Sequence, residues 1–163
     1  MASLILLARV IHVVAGILWA GVIFVLINAV LPVGRQYATE GAERWTALIA
    51  GRVGPISGVA AVFTVLSGGY LMAVLHSNDG TWGGTVLKIG AAAAVVAFLI
   101  GVTIARPAGL KLAALAAQSA DTEAHQQLTQ LRRRVAFSGR VVGALVAVAV
   151  LAMALFRYVD VLR

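Results

Sequence analysis

The chain has 163 residues, of which 61% are hydrophobic and only 12% charged, with a mean hydropathy of +0.98. A soluble domain runs at about 45–50% apolar and about 25% charged, so a water-soluble globular domain is excluded. Cysteine is absent, which excludes disulfides, iron–sulfur clusters, thiolate metal sites and cysteine nucleophiles. The net charge of +7 calls for no nucleic acid, because no basic patch interleaved with aromatics accompanies it.

A membrane-spanning helix needs about 20 apolar residues, and four such runs with their connectors consume nearly the whole chain. The first runs from Leu4 to Leu31 and is closed by Pro32. It is too long for the apolar core of a leader and lacks the small-residue cleavage site, so a cleavable signal peptide is not expected. The second run is 56–76, entered through Gly54-Pro55, a place for an interfacial turn. The third is 84–105, ended by Arg106-Pro107, and the fourth is 141–161. Between the last two, Leu110, Leu112, Leu115, Leu128, Leu131 and Val135 recur at broadly helical spacing around Ser119-Ala120-Asp121-Thr122. The stretch 108–139 therefore reads as two helical extensions joined by a turn. The expected fold is all-α, a single integral membrane four-helix bundle with a helical hairpin at one end.

Basic residues set the orientation. Arg35, Arg44 and Arg52 fall between runs one and two, and Arg106, Lys111, Arg132, Arg133, Arg134 and Arg140 between three and four. The other side has Arg9, Arg157 and Arg163, and the connector 77–83 carries Asp79 and no base. Both termini are thus expected to be extracytoplasmic and the long connectors cytoplasmic. The Arg132-Arg133-Arg134 run reads as an anchor near anionic lipid heads. His125 falls on that cytoplasmic side and reads as an exposed helix residue.

An ionisable residue inside a membrane helix is expensive and points to function. Arg9, His12 and Lys88 qualify. Centring each run in the bilayer puts His12 and Lys88 in the same, outer leaflet, with His76 nearer the outer surface on run two. Arg9, His12, Gly16 and Trp19 step by three, four and three, so they share one helix face. That layout suits a flat cofactor: His12 as an axial ligand to haem iron, Gly16 making room for the macrocycle edge, Trp19 against the ring and Arg9 by a propionate. The same face is also what helix packing produces, with Gly16 at a close contact, Trp19 as a packed aromatic and His12 hydrogen-bonded across the bundle. For a second axial ligand the sequence offers His76, or Lys88 as a ligand or an anion partner. Met72 and His76, four residues apart, are the alternative as soft ligands for copper(I). Ser67-Gly68-Gly69 reads as a point of close helix contact. No signature of nucleotide hydrolysis, zinc proteolysis or serine hydrolysis appears.

The segment Arg9-Val10-Ile11-His12-Val13-Val14-Ala15-Gly16-Ile17-Leu18-Trp19-Ala20-Gly21 resembles the first helix of the copper-resistance protein D superfamily, which also takes in bacterial four-helix protoporphyrinogen oxidases. Leu66-Ser67-Gly68-Gly69-Tyr70-Leu71 is similar to its second helix, Trp82 to Lys88 to the entry of its third, and Gly139-Arg140 through Met153-Ala154 to Arg157-Tyr158 to its last. The resemblance implies b-type haem on His12 with Lys88 needed for activity, in a protein of the bacterial inner (plasma) membrane. The oxidases continue after helix one's Trp-x-Gly with a Pro-Arg and aromatic-rich stretch ending in histidine, where this chain reads Val22 to Pro32 and then Val33-Gly34-Arg35.

The leading expectation is a small membrane cytochrome or haem b-dependent oxidoreductase near the extracytoplasmic face. His12 is its axial ligand, His76 or Lys88 completes or supports the site, and Lys88 is the catalytic candidate. Its expected partners beyond the bilayer are a quinone, a porphyrin or an extracytoplasmic electron donor, and a homo-oligomer is left open. The competing expectations are a copper transport or resistance protein using Met72, His76 and His12, and a cofactor-free structural subunit.

Overall fold

The computed structural model describes residues 1–36, 40–116 and 122–161. They are all-helical: α1 (Ala2–Val25), a π-helical turn (Leu26–Val30), α2 (Leu31–Gln36), α3 (Glu40–Leu75), α4 (Trp82–Ile100), a second π-helical turn (Gly101–Ala105), α5 (Arg106–Ala116) and α6 (Thr122–Val159). Four stretches are long and apolar enough to cross a membrane: Ala2–Val33, Leu48–Leu75, Trp82–Leu112 and Thr129–Val159. The expected turn at Ser119-Ala120-Asp121 and the terminal Arg163 lie outside the described residues, as does the side chain of His125.

The helices pack as two hairpins, α1 against α3 and α4 against α6, and the second hairpin repeats the first. In each, the leading helix passes through a π-helical turn just ahead of a proline, Pro32 or Pro107. Proline has no N–H and its ring collides with the carbonyl four residues back, which belongs to Asn28 or Thr103. Widening to five-residue bonding relieves the collision: Leu31 N–H donates to the Leu26 carbonyl and Arg106 N–H to the Gly101 carbonyl. Asn28 Nδ2 donates to the Phe24 carbonyl at 3.0 Å and Thr103 Oγ1 to the Leu99 carbonyl at 2.7 Å, at the same place in each repeat. Equivalent positions are buried in both halves, Ala8 with Gly83, Ala15 with Gly90 and Trp19 with Ala94 on the leading helices, and Ala60 with Val142, Ala61 with Gly143, Thr64 with Val146 and Ser67 with Ala149 on the trailing ones.

Small residues make the interfaces and large ones face outward. The buried set is mostly Ala, Gly, Ser and Thr, whereas Leu6, Val14, Ile17, Leu66 and Leu151 are exposed. That inversion of the soluble pattern is how helices approach closely in lipid, where apolar surface gains nothing by leaving the surroundings. Gly90 shows the closeness: a Cβ there would lie 2.5 Å from Ala152 Cβ. Trp19, 6% exposed, is the one aromatic residue buried at the centre among the described residues, in a cluster with Ala60, Ala61, Ala94, Ala97, Val142, Val146 and Ala149 from the other three long helices.

One expectation is corrected. Gly54-Pro55 makes no turn; α3 runs unbroken through Pro55 from Glu40. Pro55 sits on an exposed face with Gly51 and Gly54, both with open space beside them, near the start of the apolar span Leu48–Leu75, and membrane helices tolerate a proline that frees a carbonyl there. The helical extension expected ahead of the fourth run is present: α6 carries the polar residues from Thr122 onward into the span without a break.

Candidate functional site

His12 lies in the seam between α1 and α3. Its Nδ1 is 2.9 Å from the Thr64 carbonyl oxygen and 3.4 Å from Ser67 Oγ. A carbonyl only accepts, so Nδ1 carries the proton and, in the neutral ring, Nε2 holds the lone pair. Ser67 gives its own proton to the Phe63 carbonyl, which leaves the hydroxyl oxygen to accept from His12. Thr64 Oγ1 donates to the Ala60 carbonyl at 2.8 Å, the ordinary way a hydroxyl is satisfied within an apolar helix. Gly68 supplies the space: a Cβ there would lie 2.7 Å from His12 Cε1 and 3.0 Å from Nδ1, so the imidazole lies on bare backbone. In the repeat, His12, Thr64 and Ser67 correspond to Leu87, Val146 and Ala149. Packing of this hairpin is therefore satisfied by apolar residues, and the polar trio is particular to the first half.

The other residues expected on the His12 face have packing contacts of their own. A Cβ on Gly16 would meet Thr64 Cγ2 at 3.7 Å, an ordinary contact, and Trp19 is enclosed in the core. Arg9 is exposed, one turn from His12 towards the end that holds the N-terminus.

His76 belongs to a second cluster. It is eight residues beyond Gly68 on α3 and the turn that follows it, about 12 Å along the axis, so the structure does not bring the two histidines to one level. His76 Nδ1 instead lies 3.3 Å from Asp79 Oδ2, and its ring meets Phe156 edge to face at 5.9 Å between centroids. Arg157 lies over the same Phe156 ring. Asp79 organises the connector between α3 and α4. Its Oδ1 accepts from the Thr81 hydroxyl at 2.6 Å and the Thr81 N–H at 3.0 Å, and these bonds, with His76 beside them, hold its carboxyl below the usual carboxylate range. Thr81 then caps α4 by accepting from the Gly84 N–H at 3.0 Å. Lys88 reaches back from α4 to donate to the Asp79 carbonyl at 2.7 Å. Its ammonium thus closes the connector at the helix end, the snorkelling behaviour of a lysine near an interface. Asp160, at the end of α6, accepts from the Gly83 N–H with both carboxylate oxygens, at 3.2 Å each.

Met72 and His76 share a face of α3 by spacing. Among the described residues no group of three His, Asp or Glu side chains is placed to hold a metal ion. A groove of about 660 Å³ opens between α1 and α3, lined by apolar residues from Val10 to Leu18 and from Pro55 to Phe63. It flanks His12 through Ile11 and Ala15 but includes none of the polar site residues.

Thr64 and the space above Gly68 are the parts of the site that inspection of the residues does not single out. The signal is present, Thr64, Ser67 and Gly68 being polar or small positions at helical spacing in a largely apolar run, but it cannot be assigned to His12 without the register of α1 on α3. No family model, curated protein or solved structure matches the chain.

The fit to haem rests on His12. An axial imidazole needs one unprotonated nitrogen and a partner for the other, and the Thr64 carbonyl provides the second condition. Trp19, enclosed in the helix core, offers no open ring face to a macrocycle, while Gly16 is partly exposed beside Thr64.

Proposed function

We propose that this protein is a small membrane-embedded redox protein that carries haem b on His12, in the leaflet nearer its termini, with those termini extracytoplasmic. The observation that carries the reading is the fixed tautomer: the Thr64 carbonyl at 2.9 Å keeps the proton on Nδ1 and leaves on Nε2 the lone pair that an iron ligand requires. A histidine between two membrane helices is costly where a leucine packs equally well, and the second repeat has Leu87 at the equivalent position. Bound there, the iron would supply one-electron exchange with a quinone, a porphyrin or an extracytoplasmic donor. The chain's own residues have plainer tasks. Thr64 and Ser67 orient the imidazole, Gly68 makes room for it, and Arg9 offers a cation one turn nearer the surface for a propionate. Lys88 and His76 serve the connector at the terminal end, so the reading assigns neither to the iron.

Absorption spectroscopy of protein purified in mild detergent from haem-replete cells tests this. A Soret band and a positive pyridine assay are expected, both lost in His12→Ala and both retained in His76→Ala and Lys88→Met. A colourless wild-type protein, or a His12→Ala spectrum identical to wild type, would overturn it. Copper bound stoichiometrically instead, and lost on His76→Ala, would transfer the function to Met72 and His76, where Asp79 orients the imidazole as Thr64 does for His12.

A further inference from the structure

At the end of the bundle opposite the termini, α5 and α6 flank an open cleft of about 490 Å³ lined by Lys111, Ala114, Gln127, Gln130, Leu131 and Arg134. We infer that this cleft binds the phosphate head group of an anionic phospholipid. Lys111 comes from α5 and Arg134 from α6, so two cations face the space from opposite walls, and two glutamine amides add donors suited to phosphate oxygens. The depth is that of a head group. The apolar spans end at Leu112 on one wall and begin at Thr129 on the other, which places Lys111 and Arg134 at the edge of the hydrocarbon. Beside them the surface turns apolar and stays uncovered: Leu110 is 65% exposed and Phe137, one turn deeper than Arg134, is 70% exposed. A basic pocket between membrane helices with apolar surface below it suits a molecule that is anionic at one end and greasy at the other; a free phosphate has no use for Phe137. The inference is independent of any cofactor on His12.

The test is thermal unfolding of delipidated protein in neutral detergent, titrated with phosphatidylglycerol, phosphatidylcholine or inorganic phosphate. Phosphatidylglycerol should raise the midpoint of the wild type, and phosphatidylcholine and inorganic phosphate should not. Lys111→Gln/Arg134→Gln should need at least about tenfold more phosphatidylglycerol for the same shift. Arg106→Gln/Arg140→Gln removes the same charge from exposed positions outside the cleft and should respond as wild type does. Equal losses in the two double variants would reduce the effect to diffuse charge, and an equal response to inorganic phosphate would make the ligand a soluble anion; either result overturns the inference. If the cleft double variant does not fold, Lys111→Gln and Arg134→Gln singly should each show a several-fold loss, and unchanged titrations in both would overturn it too.

Discussion

At Gly68 the absence of a side chain is a condition for the orientation of His12. A methyl group at this position would stand 2.7 Å from His12 Cε1, closer than carbon atoms approach without repulsion, and the ring is held in place by the hydrogen bond from Nδ1 to the Thr64 carbonyl. Gly69, the next residue, has open space around its α-carbon. Gly68→Ala is therefore expected to displace the imidazole, breaking the Nδ1 hydrogen bond, while Gly69→Ala leaves it in place. Alanine improves helix propensity equally at both sites, by about 1 kcal/mol relative to glycine, so the two variants differ chiefly in what they do to His12. If haem is bound as proposed, the Soret band of Gly68→Ala should shift or vanish and that of Gly69→Ala should match wild type; identical spectra for the two would remove Gly68 from the site. Sequence inspection finds His12 because an imidazole in an apolar run is conspicuous. It reads Ser67-Gly68-Gly69 as a helix contact, which Gly68 is and Gly69 is not, since the two glycines differ only in which face meets α1.

The connector between α3 and α4 shows how one carboxylate can terminate one helix and start the next. Asp79 accepts from Thr81 twice and faces His76, while its own backbone carbonyl receives Lys88. Chiefly the Thr81 hydroxyl, then the Thr81 N–H and His76, hold its carboxyl below the ordinary value of 3.8. A carboxylate whose folded pKa lies below its unfolded one stabilises the fold while ionised, at pH above the unfolded value, and that contribution fades as pH falls through the unfolded value and on past the folded one. The connector should hold at neutral pH and weaken below about pH 4. Asp79→Asn is expected to lower the unfolding midpoint at pH 7 and to flatten its pH dependence below about pH 4; a variant that tracks the wild type through that range would show that the carboxylate does not hold the connector. The element boundaries also show what a hydropathy pattern conveys. The four long apolar runs are legible, because lipid requires continuous apolar surface. The extension of α6 back to Thr122 is legible as well, from the helical spacing of Leu128, Leu131 and Val135, whereas that of α3 back to Glu40 is not. A helix that leaves the bilayer keeps its backbone geometry while its side chains turn polar, and Pro55 reads as punctuation although a helix with glycine neighbours absorbs it.

For the whole molecule, repetition and asymmetry separate architecture from activity. Two similar hairpins meet around Trp19, and their shared features, the π-helical turns before Pro32 and Pro107 and the matched small residues, belong to folding. The trio of His12, Thr64 and Ser67 belongs to the first hairpin, its counterparts being Leu87, Val146 and Ala149, and this trio and the basic α5–α6 cleft mark the two ends at which function is proposed. In a four-span arrangement those ends fall on opposite sides of the membrane, and the distribution of charge predicts which side is which. Arg52, Arg106, Lys111, Arg132, Arg133, Arg134 and Arg140 cluster at the α5–α6 end, whereas the connector 77–83 has no base. Basic residues flanking membrane spans are retained in the cytoplasm, so reporter fusions should read the 77–83 connector as extracytoplasmic and the region around Ser119 as cytoplasmic. Four crossings return the chain to its starting side, so a reporter after Arg163 must agree with the 77–83 connector. An inverted but self-consistent pattern would keep the bundle and move the His12 site to the cytoplasmic leaflet. A C-terminal reporter opposed to the 77–83 connector would break the four-span arrangement itself, because the Gly83 to Asp160 contact requires α4 to begin where α6 ends.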